Sequence, residues 1–280
     1  MGIFKSSNYL IHQFPKHDAE TPTLRISNLG FRFGKIDALM DISFDVNKGE
    51  RLAVVGPNGA GKSTLFKIIA GVLKPTQGLV QIYGYEPKGH ICIAYVPQRN
   101  QVDWSFPVDV SDVVMMGRVS KMGPFRWPSQ KDWEIVRHSL ELVEMEAFSK
   151  RQINELSGGQ QQRIFIAQSL AQEAELILMD EPLTSLDLKT QQDIFRILDT
   201  LRERKVTILI AMHDLKLASE RFDRIALLNK RLIGIGLAQE VLAPENLASA
   251  YGDHLHMLTT KQGQLVLEDT CCEEGEHTHA

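Results

Sequence analysis

The chain has 280 residues, 43% hydrophobic and 24% charged, enough apolar content for a real core in one large or two modest domains. Lysine and arginine number 31 against 35 aspartates and glutamates, a net charge of -4 that argues against a nucleic-acid partner, since phosphate binding normally shows as a basic excess. Three cysteines, two of them adjacent at Cys271 and Cys272, make no disulfide framework and suit a reducing compartment.

Apolar runs such as residues 208–212 fall far short of the roughly 18 residues that read as membrane-spanning, and the N-terminus lacks the basic start and long apolar stretch of a secretory signal. A cytosolic protein without spans of its own is expected. In chain order, residues 1–21 form a polar extension without periodicity. Residues 22–48 alternate apolar and polar side chains and predict two or three antiparallel strands. The run RLAVVG predicts a strand, and GKSTLFKIIAGVL a helix ending near Pro75. Residues 79–97 predict a further β segment, and Gln130 to Lys150 an amphipathic helix. SGGQQQRIFIAQSLAQ is helical after its glycines, ELILMD is a buried strand, LKTQQDIFRILDTLRER a helix and VTILIAMHD a strand. This alternation predicts an α/β fold with a parallel sheet covered on both faces. Residues 261–280 are polar and aperiodic and are expected to stay mobile.

Gly56, Pro57, Asn58, Gly59, Ala60, Gly61, Lys62 and Ser63 fit G-x-x-x-x-G-K-[ST], followed by Thr64. In that pattern glycines let backbone N–H groups turn inward around phosphate, and the next helix presents the positive end of its dipole. The occupant is a nucleotide's phosphate chain, with Lys62 reaching the β and γ phosphates and Ser63 offering its hydroxyl to Mg²⁺. Asp180 and Glu181 end an apolar strand where ligands of open α/β sheets bind. Asp180 is placed to hold Mg²⁺ through its water shell, and Glu181 to act as general base on the attacking water. A third element, LSGGQQQR from Leu156 to Arg163, sets Ser157, Gly158, Gly159 and Gln160 at a helix start, with the hydroxyl and N–H groups of a second phosphate site. One chain needs one such site, so this one is read as serving a nucleotide held by another copy.

The order of these three elements resembles the ATP-binding cassette (ABC) ATPases over about residues 22–240. The resemblance implies a P-loop core of RecA-like type with an antiparallel β subdomain and an inserted helical subdomain at about residues 99–168, the whole domain spanning 22–257. It implies ATP and Mg²⁺ as ligands, and two cassettes clamping ATP head-to-tail between Lys62 and Ser63 of one chain and Ser157 and Gly159 of the other. Phe33 resembles the aromatic that stacks on adenine. Gln98, in YVPQ, resembles the glutamine that senses Mg²⁺ and the attacking water, Asp187 closes the loop through which subunits communicate, and His213 resembles the switch histidine at the γ phosphate. Integral membrane permease subunits are the implied partners, with the ATPase on the cytoplasmic face of the membrane.

The segment VDWSFPVDVSDVVMMGR, with EPLTSLD, resembles ATPase subunits of bacterial manganese, zinc and iron importers served by an extracytoplasmic metal-binding protein; manganese is favoured, then zinc. Trp104, Phe106, Val108, Met115 and Met116 in this segment read as a partner surface, with packing of the helical subdomain as the competing account. A cassette ATPase outside transport is the less favoured alternative. The final stretch from about residue 258 is read as an acidic tail. HLH at 254–256, just before it, and CCEEGEHTH at 271–279 within it offer metal ligands, but the spacing matches no closed tetrahedral site.

Overall fold

A computed structural model describes residues 21–87, 92–122 and 126–252, together with the backbone of 255–259 and 265–269. Strands β1 (Leu24–Phe33) and β2 (Ile36–Val46) pair antiparallel across Gly34 and Lys35, where Gly34 adopts a φ of 59° that the tight reversal requires. Strand β3 (Arg51–Val55) leads through a glycine loop into helix α1 (Lys62–Ile69). β4 (Gln77–Ile82) then returns to the free side of β1, giving a three-stranded antiparallel sheet in the order β2-β1-β4.

The remaining strands of the core are β5 (Ile93–Val96), β6 (Leu176–Asp180), β7 (Thr207–Met212), β8 (Arg224–Asn229) and β9 (Arg231–Gly236). They form a six-stranded sheet in the order β5-β6-β7-β3-β8-β9, parallel except for β9. Every residue of β3, β6 and β7 is buried, which is why their sequences run apolar without alternation: successive side chains enter two different cores. Ala53, Val55, Ile177, Met179, Ile208 and Ile210 face the core that carries the helices, while Leu52, Val54, Leu178 and Leu209 face a second core under the antiparallel sheet. Helix α1 joins that second core through Leu65, Phe66, Ile68 and Ile69, each no more than 1% exposed and each contributing about 1.5–3 kcal/mol by burial.

Between β5 and β6 the chain is helical. α2 (Val110–Met116), α4 (Gln130–Leu142) and α5 (Gly158–Ala171) pack through Val113, Val114, Ile135, Val136, Leu140 and Ile164, with the short α3 (Val119–Met122) between α2 and α4 in the chain. α4 starts on a capping box in which the Ser129 hydroxyl accepts from the Asp132 N–H and the Asp132 carboxylate accepts from the Ser129 N–H. Buried Arg118 donates to Asp132 (3.1 Å), to the Ala171 carbonyl (2.9 Å) and to Glu173 (2.7 Å), tying the start of α4 to the end of α5. α6 (Leu188–Glu203) covers the sheet beyond β6, and the short α7 (Leu215–Arg221), α8 (Ala238–Val241) and α9 (Pro244–Tyr251) are the remaining helices of the described residues.

Four expectations change. Residues 79–97 are not one β segment but β4 and β5, in different sheets. The helix from Gln130 ends at Leu142, because Glu144 takes a left-handed φ of 58° and only a short 3₁₀ turn follows at Glu146–Phe148. α5 starts on the glycines rather than after them, since Ser157 already caps it. The tail is not wholly irregular: β10 (Leu255–Thr259) and β11 (Leu265–Asp269) pair antiparallel, their short Leu/Val-containing runs lying close enough in sequence for a hairpin to close at small entropic cost. Residues 1–20, His254 and 271–280, with the metal-ligand pattern read there, lie outside the described residues.

Candidate functional site

Four adjacent parallel strands deliver the motif residues to one edge of the sheet. β5 ends at Val96 ahead of Gln98, β6 at Asp180 ahead of Glu181, β7 at Met212 ahead of His213, and β3 at Val55 ahead of the glycine loop. Their registers align these ends, with Val96 beside Met179, Asp180 beside Ala211 and Val55 beside Met212. A ligand site at the carboxyl ends of such strands is the expected place.

The glycine loop is shaped by steric necessity. A Cβ on Gly56 would lie 2.0 Å from the Leu228 carbonyl oxygen, and one on Gly61 2.8 Å from the Ala38 carbonyl oxygen, so neither position admits a side chain. Gly59 has room, but its φ of 77° selects glycine. Gly61 is the N-cap of α1 and supplies no side-chain acceptor, so no side chain caps the helix start, the arrangement in which a helix N-terminus receives an anion. Asn58, Gly59, Ala60, Gly61, Lys62, Ser63 and Thr64 line one pocket with Phe33, Ile36 and Glu181. The Lys62 ammonium, 5% exposed, donates to the Gly56 carbonyl at 2.7 Å and the Pro57 carbonyl at 3.1 Å, and lies 4.0 Å from the Glu181 carboxylate. Phe33 is 55% exposed, makes a T-shaped contact with buried Phe31 at a centroid distance of 4.8 Å, and lines the pocket, so it is not a core aromatic.

Behind the loop stands Asp180, 1% exposed. Burial raises its carboxyl above the ordinary 3.8, and the Glu181 charge adds to this, while the Ser63 and Tyr95 hydroxyls and Lys67 oppose it. Tyr95 donates to one carboxylate oxygen at 3.3 Å; the other, Oδ1, is buried with no hydrogen-bond partner. A buried, under-satisfied carboxylate oxygen beside a serine hydroxyl is a hard-oxygen donor set that fits a divalent cation of the Mg²⁺ type. Because the folded chain holds the Asp180 proton more tightly than the unfolded chain, this group's stabilisation is complete below 3.8 and is lost as pH rises through the elevated folded value. At neutral pH the charge therefore costs stability. Asp180→Asn should raise the melting temperature in the absence of Mg²⁺, by about 2–4 °C for each kcal/mol relieved in a chain of this size; calorimetry from pH 7.5 downward checks this, and the gain should shrink only as pH falls through the elevated folded value toward 3.8.

Glu181 follows in a left-handed conformation, φ 50°, which costs a non-glycine residue about 1–3 kcal/mol. Its N–H is held by the Ala211 carbonyl at 3.0 Å, and its carboxylate accepts from the Gln98 amide at 2.8 Å. The strained backbone turns the carboxylate toward Lys62 and Gln98. His213 is exposed and does not line the pocket of the glycine loop; it lines a neighbouring one with Glu181, Thr184, Ser185, Asp214 and Leu217. Glu181 is thus shared by both pockets.

None of Ser157, Gly158, Gly159 or Gln160 lines either pocket. Ser157 and Gln160 form a reciprocal capping box at the start of α5. The two glycines are pressed by their own chain: a Cβ on Gly158 would lie 3.0 Å from the Arg99 guanidinium, and one on Gly159 only 2.2 Å from the Thr190 methyl. Asp187 caps α6, accepting from the Thr190 N–H at 3.0 Å and hydroxyl at 2.6 Å, and these bonds hold its carboxyl below the ordinary range.

Sequence reasoning passed over Tyr95, Arg99, Asp37 and Lys230. Tyr95 gave a faint signal, one polar tip in the apolar run IAYV. Arg99 donates to Gln161 at 3.0 Å, and Trp104 to the Arg99 carbonyl at 2.9 Å. Asp37 and Lys230 line the glycine-loop pocket and had no local signal. Of the five apolar residues read as a partner surface, Phe106 and Met116 are exposed, at 60% and 47%, whereas Met115 is buried and Trp104 and Val108 pack inward, Trp104 against Phe165.

A glycine loop between strand and helix, with an acidic pair ending the next strand but one, defines a P-loop nucleoside-triphosphatase core. The ABC transporter family model matches residues 39–184. The manganese transport system ATP-binding protein MntB of Halalkalibacterium halodurans is 42% identical over 88% of this chain and 98% of its own length. The corresponding MntA of Synechocystis is 47% identical over 80% of this chain and 87% of its own, and the zinc transport system ATP-binding protein TroB of Treponema pallidum 42% identical over 83% and 88%. A solved metal-chelate type ABC transporter in an inward-facing conformation matches with a TM-score of 0.76 at 30% identity, over 88% of this chain and 98% of that one. The chain belongs to the ABC transporter family and carries its ATP-binding domain. Among the described residues no helix is long and apolar enough to cross a membrane.

Proposed function

We propose that the chain is the ATP-hydrolysing subunit of an importer of a divalent transition metal, with Mn²⁺ as the cargo. The observation that carries the catalytic half is the contact set of Glu181, 2.8 Å from Gln98 and 4.0 Å from Lys62 at the shared wall of two pockets. The cargo half rests on the relatives, among which manganese transport systems recur.

In this reading Lys62 exchanges the Gly56 and Pro57 carbonyls for the β and γ phosphates, the first-turn N–H groups of α1 hold the phosphate oxygens, and Phe33 stacks on the adenine. Asp180, Ser63 and Gln98 would hold Mg²⁺, which when bound neutralises charge on the phosphate oxygens. Glu181 takes the proton of the attacking water, Gln98 fixes the carboxylate that does so, and His213 orients the water from the neighbouring pocket. Ser157, Gly158, Gly159 and Gln160 address the nucleotide of a second, identical copy, consistent with their distance from the chain's own pocket. Asp187 sits where the two copies exchange information. ATP closes the pair because it contacts both halves only in the closed state. Closure moves an integral membrane permease fed by an extracytoplasmic metal-binding protein, and the chain works on the cytoplasmic face of that membrane. Phe106 and Met116 are the large apolar side chains of the 102–118 segment that are exposed and could meet the permease.

Uptake of radioactive manganese, zinc and iron by cells lacking the chain, at limiting external metal and with wild-type or Glu181→Gln complementation, tests this. Loss of manganese uptake restored only by the wild type supports the reading. Loss of zinc or iron uptake instead reassigns the cargo, and unchanged uptake of all three overturns the transport role.

A further inference from the structure

The glycine loop has a wall that no motif announces. Lys230 is the single residue between β8 and β9, and the tight reversal that it makes packs directly on the loop. Its N–H donates to the Ala60 carbonyl at 2.8 Å, its carbonyl accepts from the Met40 N–H at 2.7 Å, and the Leu228 carbonyl just before it occupies the space a side chain on Gly56 would need. The Lys230 backbone is thus pinned from two sides, to the glycine loop and to β2. It is also left-handed, φ 55°, a conformation that glycine would adopt at lower cost.

The side chain is exposed and lines the same pocket as Phe33, Asp37 and the residues from Asn58 to Thr64. The charges around it are already engaged. Asp37 is ion-paired with Arg32. Glu181 is bonded to Gln98 and near Lys62, and Lys62 is bonded to the loop carbonyls. Among the described residues the Lys230 ammonium has no hydrogen-bond or ion-pair partner, so it stands as an uncompensated cation at a pocket shaped for phosphate. A backbone that holds its Cα fixed against the loop delivers that cation with little loss of main-chain freedom, which is the condition under which a flexible lysine binds well.

We propose that Lys230 is a nucleotide-binding residue that pairs with the phosphate chain of a nucleoside di- or triphosphate, in addition to Lys62. The proposal rests on the nucleotide reading given above. It predicts a loss of affinity that follows the ligand's charge rather than its base.

The test is calorimetric titration of the purified chain with ATP, ADP and adenosine, comparing the wild type with Lys230→Gly, Lys230→Met and Lys230→Arg. Lys230→Gly relaxes the left-handed turn while removing the ammonium, so its fold should be at least as stable as that of the wild type. Its affinity for ATP and ADP should nevertheless fall about five- to tenfold, as for a partly solvated charge-assisted contact, and its affinity for adenosine should not change. Lys230→Met should behave as Lys230→Gly does, and Lys230→Arg should restore most of the loss. In steady state the ATP KM should rise with kcat unchanged. Equal ATP and ADP affinity in the wild type and Lys230→Gly overturns the proposal, as does a loss that is the same for adenosine. If the wild type itself binds no ATP, the nucleotide reading has failed first.

Discussion

Glu181→Gln should lower ATP turnover by at least about a hundredfold, the usual contribution of a positioned general base, while the chain goes on binding ATP. The substitution is close to isosteric, so the amide that replaces the carboxylate can still accept from Gln98, whose nitrogen lies 2.8 Å from the carboxylate oxygen. What disappears is the capacity to take a proton from water. Binding and chemistry are then separated: ATP should assemble two copies, and without hydrolysis they should stay assembled. Size-exclusion chromatography in Mg·ATP is the direct reading, with a stable dimer expected for the variant and mostly monomer for the wild type after turnover. A variant that turns over normally, or that never dimerises in ATP, removes Glu181 from the role given to it.

Lys62→Ala should be as severe, for a different reason. The ammonium is 5% exposed and holds two carbonyls of its own loop, Gly56 and Pro57. Removing it costs the loop a buried donor and the phosphate a cation, and hydrogen bonds to charged groups are worth about 1.5–3 kcal/mol each. Turnover should fall by about two to three orders of magnitude, and nucleotide affinity should fall with it, which distinguishes this variant from Glu181→Gln. Lys62→Arg should not rescue, because a planar fork cannot fill a slot built for a point charge. Equilibrium titration with ADP beside the ATPase assay separates the two losses, and retained turnover in Lys62→Ala would count against the assignment.

What was legible in the sequence was whatever is local. Strand, glycine loop and α1 could be read because Gly56, Gly59 and Gly61 are demanded by backbone geometry within a few residues of Lys62. The parallel core strands declared themselves as unbroken apolar runs, since both their faces are buried. β9 escaped because its residues are only partly buried and it is an antiparallel strand at the edge of an otherwise parallel sheet. Lys230 escaped for a sharper reason. It reaches the glycine loop only because β8 lies beside β3, a neighbour relation set by a strand order that joins residues about 170 apart in sequence. Family resemblance pointed to Gln98 and Glu181 separately, but the contact between them was not foreseen, for the same reason.

The slot behind Gly159 changes what a glycine in the LSGGQ stretch signifies. The Thr190 methyl stands 2.2 Å from where a Cβ would sit, and Thr190 is itself locked by Asp187, so position 159 is closed to side chains by its own molecule before any second copy arrives. A glycine there records an internal fit between two helix starts, α5 and α6. An evolutionary tally of that position therefore measures packing within one cassette as much as traffic between two, and only a paired change that also trims Thr190 to serine, keeping the hydroxyl that Asp187 needs, would let the two requirements drift apart.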